Sequence, residues 1–167
     1  LNPGQENVYV TVTDDPDQLV SGTEGGNIYL TRSIDSAATW GTPIKLNSDP
    51  SGKNQLNPQM AVDEVGNIGV MWYDTRSDAN NHRLEVFRAS SSDGGVTFSP
   101  DTVLTSASFE PDTGQFIGNA NFGDRIGLAA QGARAYAVWT DTTVLQPPPP
   151  QSALPGEQSI FFSTFNI

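Results

Sequence analysis

The chain has 167 residues, within the range of one domain with its own core, and a formal net charge of −11 with only eight Lys and Arg. So few cations exclude a nucleic-acid or anionic-membrane surface, because phosphate binding needs clustered positive charge. The absence of cysteine removes disulfides, thiolate metal sites and thiol nucleophiles, and no apolar run approaches the ~18 residues of a membrane span.

The predicted elements are short strands separated by Gly- and Pro-rich turns. The first is NVYVTVTD (Asn7–Asp14), whose side chains alternate across the run. An acidic stretch, TDDPDQ, follows it, then NIYLTRS (Asn27–Ser33), which runs into the polar turn SIDSAATW (Ser33–Trp40). A short apolar run, PIKL (Pro43–Leu46), and a turn-rich stretch, NSDPSGKN, come next. The series then restarts. PQMAVDEVGN (Pro58–Asn67) leads through a hairpin turn into NIGVMWYD (Asn67–Asp74), a loop, and EVFRASS (Glu85–Ser91). That strand enters a second polar turn, SSDGGVTF (Ser91–Phe98), followed by TVLTSA (Thr102–Ala107). A third pass follows a Gly/Asn-rich approach, GNANFGD (Gly118–Asp124). It runs RIGLAAQGAR (Arg125–Arg134), RAYAVWTD (Arg134–Asp141), a proline-rich loop over 145–157, and SIFFSTF (Ser159–Phe165).

Three segments thus end alike in aspartate, at Asp14, Asp74 and Asp141, and each is followed by a second β-rich segment. Four short antiparallel strands in about 60 residues is the rhythm of a propeller blade. The expected fold is all-β, a β-propeller of four-stranded antiparallel blades with about three blades in this chain. Blade A covers 1–47 and lacks its first strand. Blade B covers 57–107 and is complete. Blade C covers 123–167 and lacks its fourth strand. Three blades do not close a ring, and the chain opens on Leu1 rather than Met. The expectation is a C-terminal portion of a larger propeller, with either the remainder of that propeller or another chain completing the ring.

The two polar turns share a spacing. Ser33, Asp35, Thr39 and Trp40 match Ser91, Asp93, Thr97 and Phe98, with Ala37 standing where the second copy has Gly95. This pattern resembles the Asp box, or BNR repeat, of sialidase-like propellers, and VMWYDTRSD and GDRIGLAAQGARAYAVWTD are similar to strand motifs of that superfamily. The local reading is a staple. The aspartate accepts backbone N–H bonds within its own turn, Gly95 permits a positive φ, and Trp40 and Phe98 tuck between neighbouring strands. A departure at Ala37 predicts a distorted or differently tolerated first turn.

The resemblance implies an extracellular or cell-surface protein that binds carbohydrate or, in the complete protein, hydrolyses glycosides. The alternative is a non-catalytic structural or interaction propeller of a secreted or surface assembly. Substrate in that family lies on the face opposite the Asp boxes, which predicts ligand contacts from Asp74, Arg76, Asp124, Arg125 and Asp141. The competing role for a strand-end aspartate is to cap its own turn. Sialidases are implied to use an arginine triad, a tyrosine nucleophile with a glutamate partner, and an aspartate acid/base. Tyr73 and Arg125 are the only weak candidates for that set, so whether the chain is an enzyme stays open. No cofactor is expected. Calcium is a candidate at Asp14, Asp15 and Asp17, although their spacing is not that of an EF-hand. His82 is the only histidine and has no second one with which to hold zinc.

Overall fold

The structure, a computed structural model, describes residues 6–14, 25–111, 126–143 and 159–167. All regular elements among them are strands: β1 (Val8–Asp14), β2 (Asn27–Ser33), β3 (Ile44–Lys45), β4 (Gln55–Val62), β5 (Ile68–Asp74), β6 (Glu85–Ser91), β7 (Thr102–Val103), β8 (Gly127–Gln131), β9 (Arg134–Asp141) and β10 (Ser159–Asn166). They form three antiparallel sheets, ordered β1-β2-β3, β4-β5-β6-β7 and β8-β9-β10.

The sheets pack face to face in chain order. Ile28, Leu30 and Leu46 of the first meet Ile68, Val70, Trp72, Phe87 and Ala89 of the second. Met71, Tyr73, Leu84, Val86 and Phe109, on the opposite face of the second sheet, meet Ala135, Ala137, Trp139 and Phe165 of the third. Strand β5 is therefore covered on both sides and buried at every residue, whereas β9 alternates exposed and buried from Arg134 to Trp139 because only one of its faces is covered. Gly69 lets the second and third sheets approach. A Cβ there would stand 3.2 Å from the Ala135 Cβ and 3.3 Å from the Phe165 ring. Burying a Trp or Leu side chain at such a junction contributes about 1.5–3 kcal/mol.

The outer strands are shorter than their sequences suggest. Pro43–Leu46 yields only β3 and Thr102–Ala107 only β7. In both cases one further ladder bond is made beyond the strand, Leu46 N–H to Ile28 O at 2.8 Å and Leu104 N–H to Val86 O at 2.7 Å, before the chain turns away. Short edge strands give little template for pairing with another chain. Strand β4 begins at Gln55, earlier than the Pro58 expected. A bulge between Leu56 and Gln59, with Asn57 at φ 53°, carries the ladder past Pro58 and sets Gln55 opposite Asp74. The three sheets do not close on themselves, and the proline-rich loop expected over 145–157 lies outside the described residues.

Candidate functional site

Strands β5 and β9 end in the same local device. The Asp74 carboxylate accepts the Trp72 indole N–H at 3.1 Å and the Arg76 backbone N–H at 2.8 Å. Asp141 accepts the Trp139 indole N–H at 3.3 Å and the Thr143 backbone N–H at 2.6 Å. The next residue repeats as well: the Thr75 hydroxyl donates to Asn54 O and the Thr142 hydroxyl to Glu110 O. Both aspartates are buried, so each is a cap whose acceptors face inward. Strand β1 ends in Asp14, but Val12 stands where the other two carry tryptophan, and Asp14 is exposed.

Asp74 is also one corner of a polar cluster between the first two sheets. Arg76 reaches it through Nε at 3.0 Å and Nη2 at 2.6 Å, and Nη2 also meets Asp101 at 2.6 Å. The guanidinium lies 3.9 Å from the centroid of the Phe87 ring. Gln55 donates to Asp49 at 3.1 Å and to Asp74 at 3.3 Å, and accepts from Asn47, which donates to Asn27 as well. Ser48 closes the cluster on Asp101 at 2.5 Å. Burial opposes charge on Asp49 and Asp101. The Ser51 and Gln55 bonds to Asp49, and the Ser48 and Arg76 bonds to Asp101, outweigh it and hold both carboxyls below their ordinary range. Burial likewise works against the Arg76 cation, and its bonds to Asp74 and Asp101 more than offset that.

Tyr73 is fully buried in the second core, with its ring edge-on to Phe109. Its hydroxyl donates to Thr140 O and accepts from Thr140 N–H, both at 3.2 Å. Burial pushes its pKa up, and the Asp141 charge adds to the effect despite the Thr140 N–H. A nucleophilic tyrosine needs access and a nearby base that eases its ionisation. The geometry gives Tyr73 neither access nor an easier ionisation, and its place in the sheet junction is that of a core residue.

At the opposite ends of the strands, the two polar turns are near-copies. Ser33 Oγ accepts the Asp35 and Ala37 N–H groups and donates to Asp35 at 2.6 Å. Asp35 accepts the Thr39 N–H at 2.9 Å and the Thr39 hydroxyl at 2.5 Å. Ser91 Oγ accepts the Asp93 and Gly95 N–H groups and donates to Asp93 at 2.8 Å. Asp93 accepts the Val96 and Thr97 N–H groups and the Thr97 hydroxyl. The first turn is not distorted by Ala37, which adopts φ 68° beside 78° at Gly95. The aromatic positions differ: Phe98 packs onto the core between the first two sheets, while Trp40 is 44% exposed. Phe98 has the first sheet to pack on, and no sheet covers the equivalent face beside Trp40 among the described residues.

Asp15, Asp17, Asp124 and Arg125 lie outside the described residues. Among the described residues, no group of three or more His, Cys, Asp or Glu is arranged to hold a metal ion. Residues to which the sequence reading gave no site role, some of them in the turn-rich stretch NSDPSGKN, carry much of the polar structure. Asn47, Asp49, Gln55 and Asp101 build the cluster around Asp74. Asp63 staples its own turn by accepting the Val65 and Asn67 N–H groups, and reaches the next sheet through the Ala133 N–H at 3.1 Å. For Asp63 the signal was legible, since Asp-x-x-Gly-Asn between two strands is Asx-turn chemistry.

No family model matches the sequence, and no curated protein matches it. Among solved structures the fold is similar to the "Hadza microbial sialidase Hz136", with TM-score 0.54 and 20% identity over 81% of this chain. The fold is sialidase-like. The chain spans 30% of the length of that sialidase. At this identity the likeness carries the propeller-like arrangement of sheets and no activity.

Proposed function

We propose that this chain is a wall of a sialidase-like propeller whose complete form recognises carbohydrate, and that this portion supplies rigid framework rather than the reacting groups. The observation that carries the reading is the state of the described groups nominated for chemistry. Asp74 and Asp141 are capped inside their own turns, Arg76 is held by Asp74 and Asp101, and Tyr73 is bound to Thr140 in the core. Groups already paired inside a protein hold their shape at no further cost, and that is what a wall requires. Carbohydrate as the ligand class is supported by the sialidase likeness. Any direct contact falls to the end of the sheets that carries Asp74 and Asp141, and an extracellular setting goes with that ligand.

The test is paired. The purified chain is assayed on a fluorogenic sialoside and on a panel of immobilised glycans. The expected result is no hydrolysis, and weak or absent glycan binding by the chain alone. Sialoside turnover that disappears in the Arg125→Ala variant would overturn the framework reading.

A further inference from the structure

The two junctions between the sheets share a backbone device at the end that carries Asp74 and Asp141. After its outer strand, each of the first two sheets sends a return segment back past the start of its β2 or β6. In the first sheet, the Gly25 N–H donates to Gly52 O and the Gln55 N–H to Gly26 O, just before β2. In the second, Leu84 and Phe109 exchange two backbone bonds of 2.9 Å, just before β6. The threonine after each strand-end aspartate then holds the segment from the next sheet, Thr75 on Asn54 O and Thr142 on Glu110 O. Phe109 is buried edge-on to Tyr73. Residues 108–110 are therefore a strap from the second sheet to the third.

The side chains that lock the two segments differ in kind. At the first junction Asn81 Oδ1 accepts the Asn54 N–H at 3.0 Å and the Thr75 hydroxyl, and Lys53 donates to Ala79 O at 2.7 Å. Amides and hydroxyls do not titrate between pH 5 and 8, and an ordinary lysine keeps one charge there. At the second junction the lock is ionic. His82 Nε2 lies 2.5 Å from Glu110 Oε1, and Arg83 Nη1 lies 3.9 Å from Glu110 Oε2. Arg83 also donates to Ser108 Oγ at 3.1 Å and to Ser108 O at 2.6 Å. His82 is the only histidine of the chain, and histidine is the side chain whose ordinary ionisation falls in that pH range. The other charges nearby are engaged in place. Asp78 accepts the His82 and Arg83 N–H groups, Ser77 donates to Glu85, and Asp141 of the third sheet is turned to Trp139 and Thr143.

We propose that the 108–110 strap is a pH-set clasp between the second and third sheets, with His82 and Glu110 as its sensitive contact. In mildly acidic solution the imidazolium and the carboxylate attract, and the strap is held. As pH rises through the histidine range the imidazolium charge is lost, and the strap opens more often. The first junction, locked by groups that keep their charge, does not respond. The tie between sheets at this end thereby follows pH at one junction and not at the other.

Amide hydrogen exchange of the purified chain, followed by NMR at about pH 5.5 and about pH 8 and corrected for intrinsic rates, reads the local opening. The Leu84 and Phe109 amides are expected to be about threefold better protected at the lower pH, the scale of an exposed ion pair. The Gly25 and Gln55 amides are expected to stay level. His82→Gln and Glu110→Gln each remove one charge and keep a polar group in place, and each is expected to abolish the response at Leu84 and Phe109. Should a variant fail to fold, the comparison with Gln55 inside the wild-type chain still carries the test. A level wild-type profile at Leu84 and Phe109, a change of equal size at Gln55, or a response that survives either substitution would each overturn the proposal.

Discussion

Ala37 and Gly95 occupy the same step of two equivalent turns, and both are left-handed, at φ 68° and 78°. The backbone is therefore dictated by the Ser–Asp–Thr hydrogen bonds around it and not by the residue at that step. An L-residue with a Cβ costs roughly 1–2 kcal/mol in this region, while glycine gives back about 0.5–1 through its freer unfolded chain. Ala37→Gly is accordingly expected to stabilise by about 0.5 kcal/mol in urea denaturation. Gly95→Ala is expected to cost more, about 1–2 kcal/mol. A Cβ at Gly95 would stand 3.2 Å from both Ile68 Cδ1 and Tyr9 Cε1.

The strands and these turns were legible in the sequence because both are local. Asn27–Ser33 and Glu85–Ser91 coincide with β2 and β6 residue for residue, since their alternation and the turn chemistry at their ends need nothing distant. The polar cluster was not legible. Gln55 stands opposite Asp74 only because a bulge at Asn57 shifts the register, and Asp101 meets Arg76 only once β7 has folded back on β6. Tyr73 misled for a related reason. It sits next to the loop mouth in sequence, but the strand pleat turns it into the junction with β9, opposite in sense to Trp72 and Asp74.

Acid should loosen the first turn in a definite window. The Ser33 hydroxyl first, then the Thr39 hydroxyl and N–H, hold the Asp35 carboxyl down to about 2. Its unfolded value is about 3.9. Because the folded-state value is the lower one, the unfolded chain takes up the proton first. The stabilisation is then fully present above about pH 4 and is lost as pH falls through about 2. Asp93 is lowered in the same direction by Thr97 and Ser91. The melting temperature is expected to fall across that range. Asp35→Asn should lower it at neutral pH and make the acid limb shallower. A limb of unchanged steepness in the variant would remove Asp35 from the account.

Arg76 separates framework from ligand contact. It is the cation that faces a fully buried Asp74 carboxylate and the nearly buried Asp101 side chain. Breaking one partner of a buried pair leaves an uncompensated charge and typically costs about 3–5 kcal/mol. Arg76→Met is expected to lose stability on that scale in denaturant titration, with Arg76→Lys intermediate because a point charge cannot reproduce the fork to two carboxylates. A variant of native stability would mean that the cluster rearranges easily. Arg76 would then be free to serve a ligand.

The same logic, applied to Tyr73, distinguishes a core hydroxyl from a reactive one. Its oxygen both donates to and accepts from Thr140, joining the second sheet to the backbone of the third. Removing one such buried partner costs about 1–2 kcal/mol, because the water that could replace it has no room. Tyr73→Phe is therefore expected to shift the denaturation midpoint downward by that amount. It should leave the alkaline absorbance titration of the folded protein unchanged, since burial already keeps this phenol protonated well above the ordinary tyrosine range. A reactive tyrosine would behave in the opposite way. Its removal would leave stability almost untouched and delete an early step from the titration, and either observation would return Tyr73 to the list of groups that meet substrate.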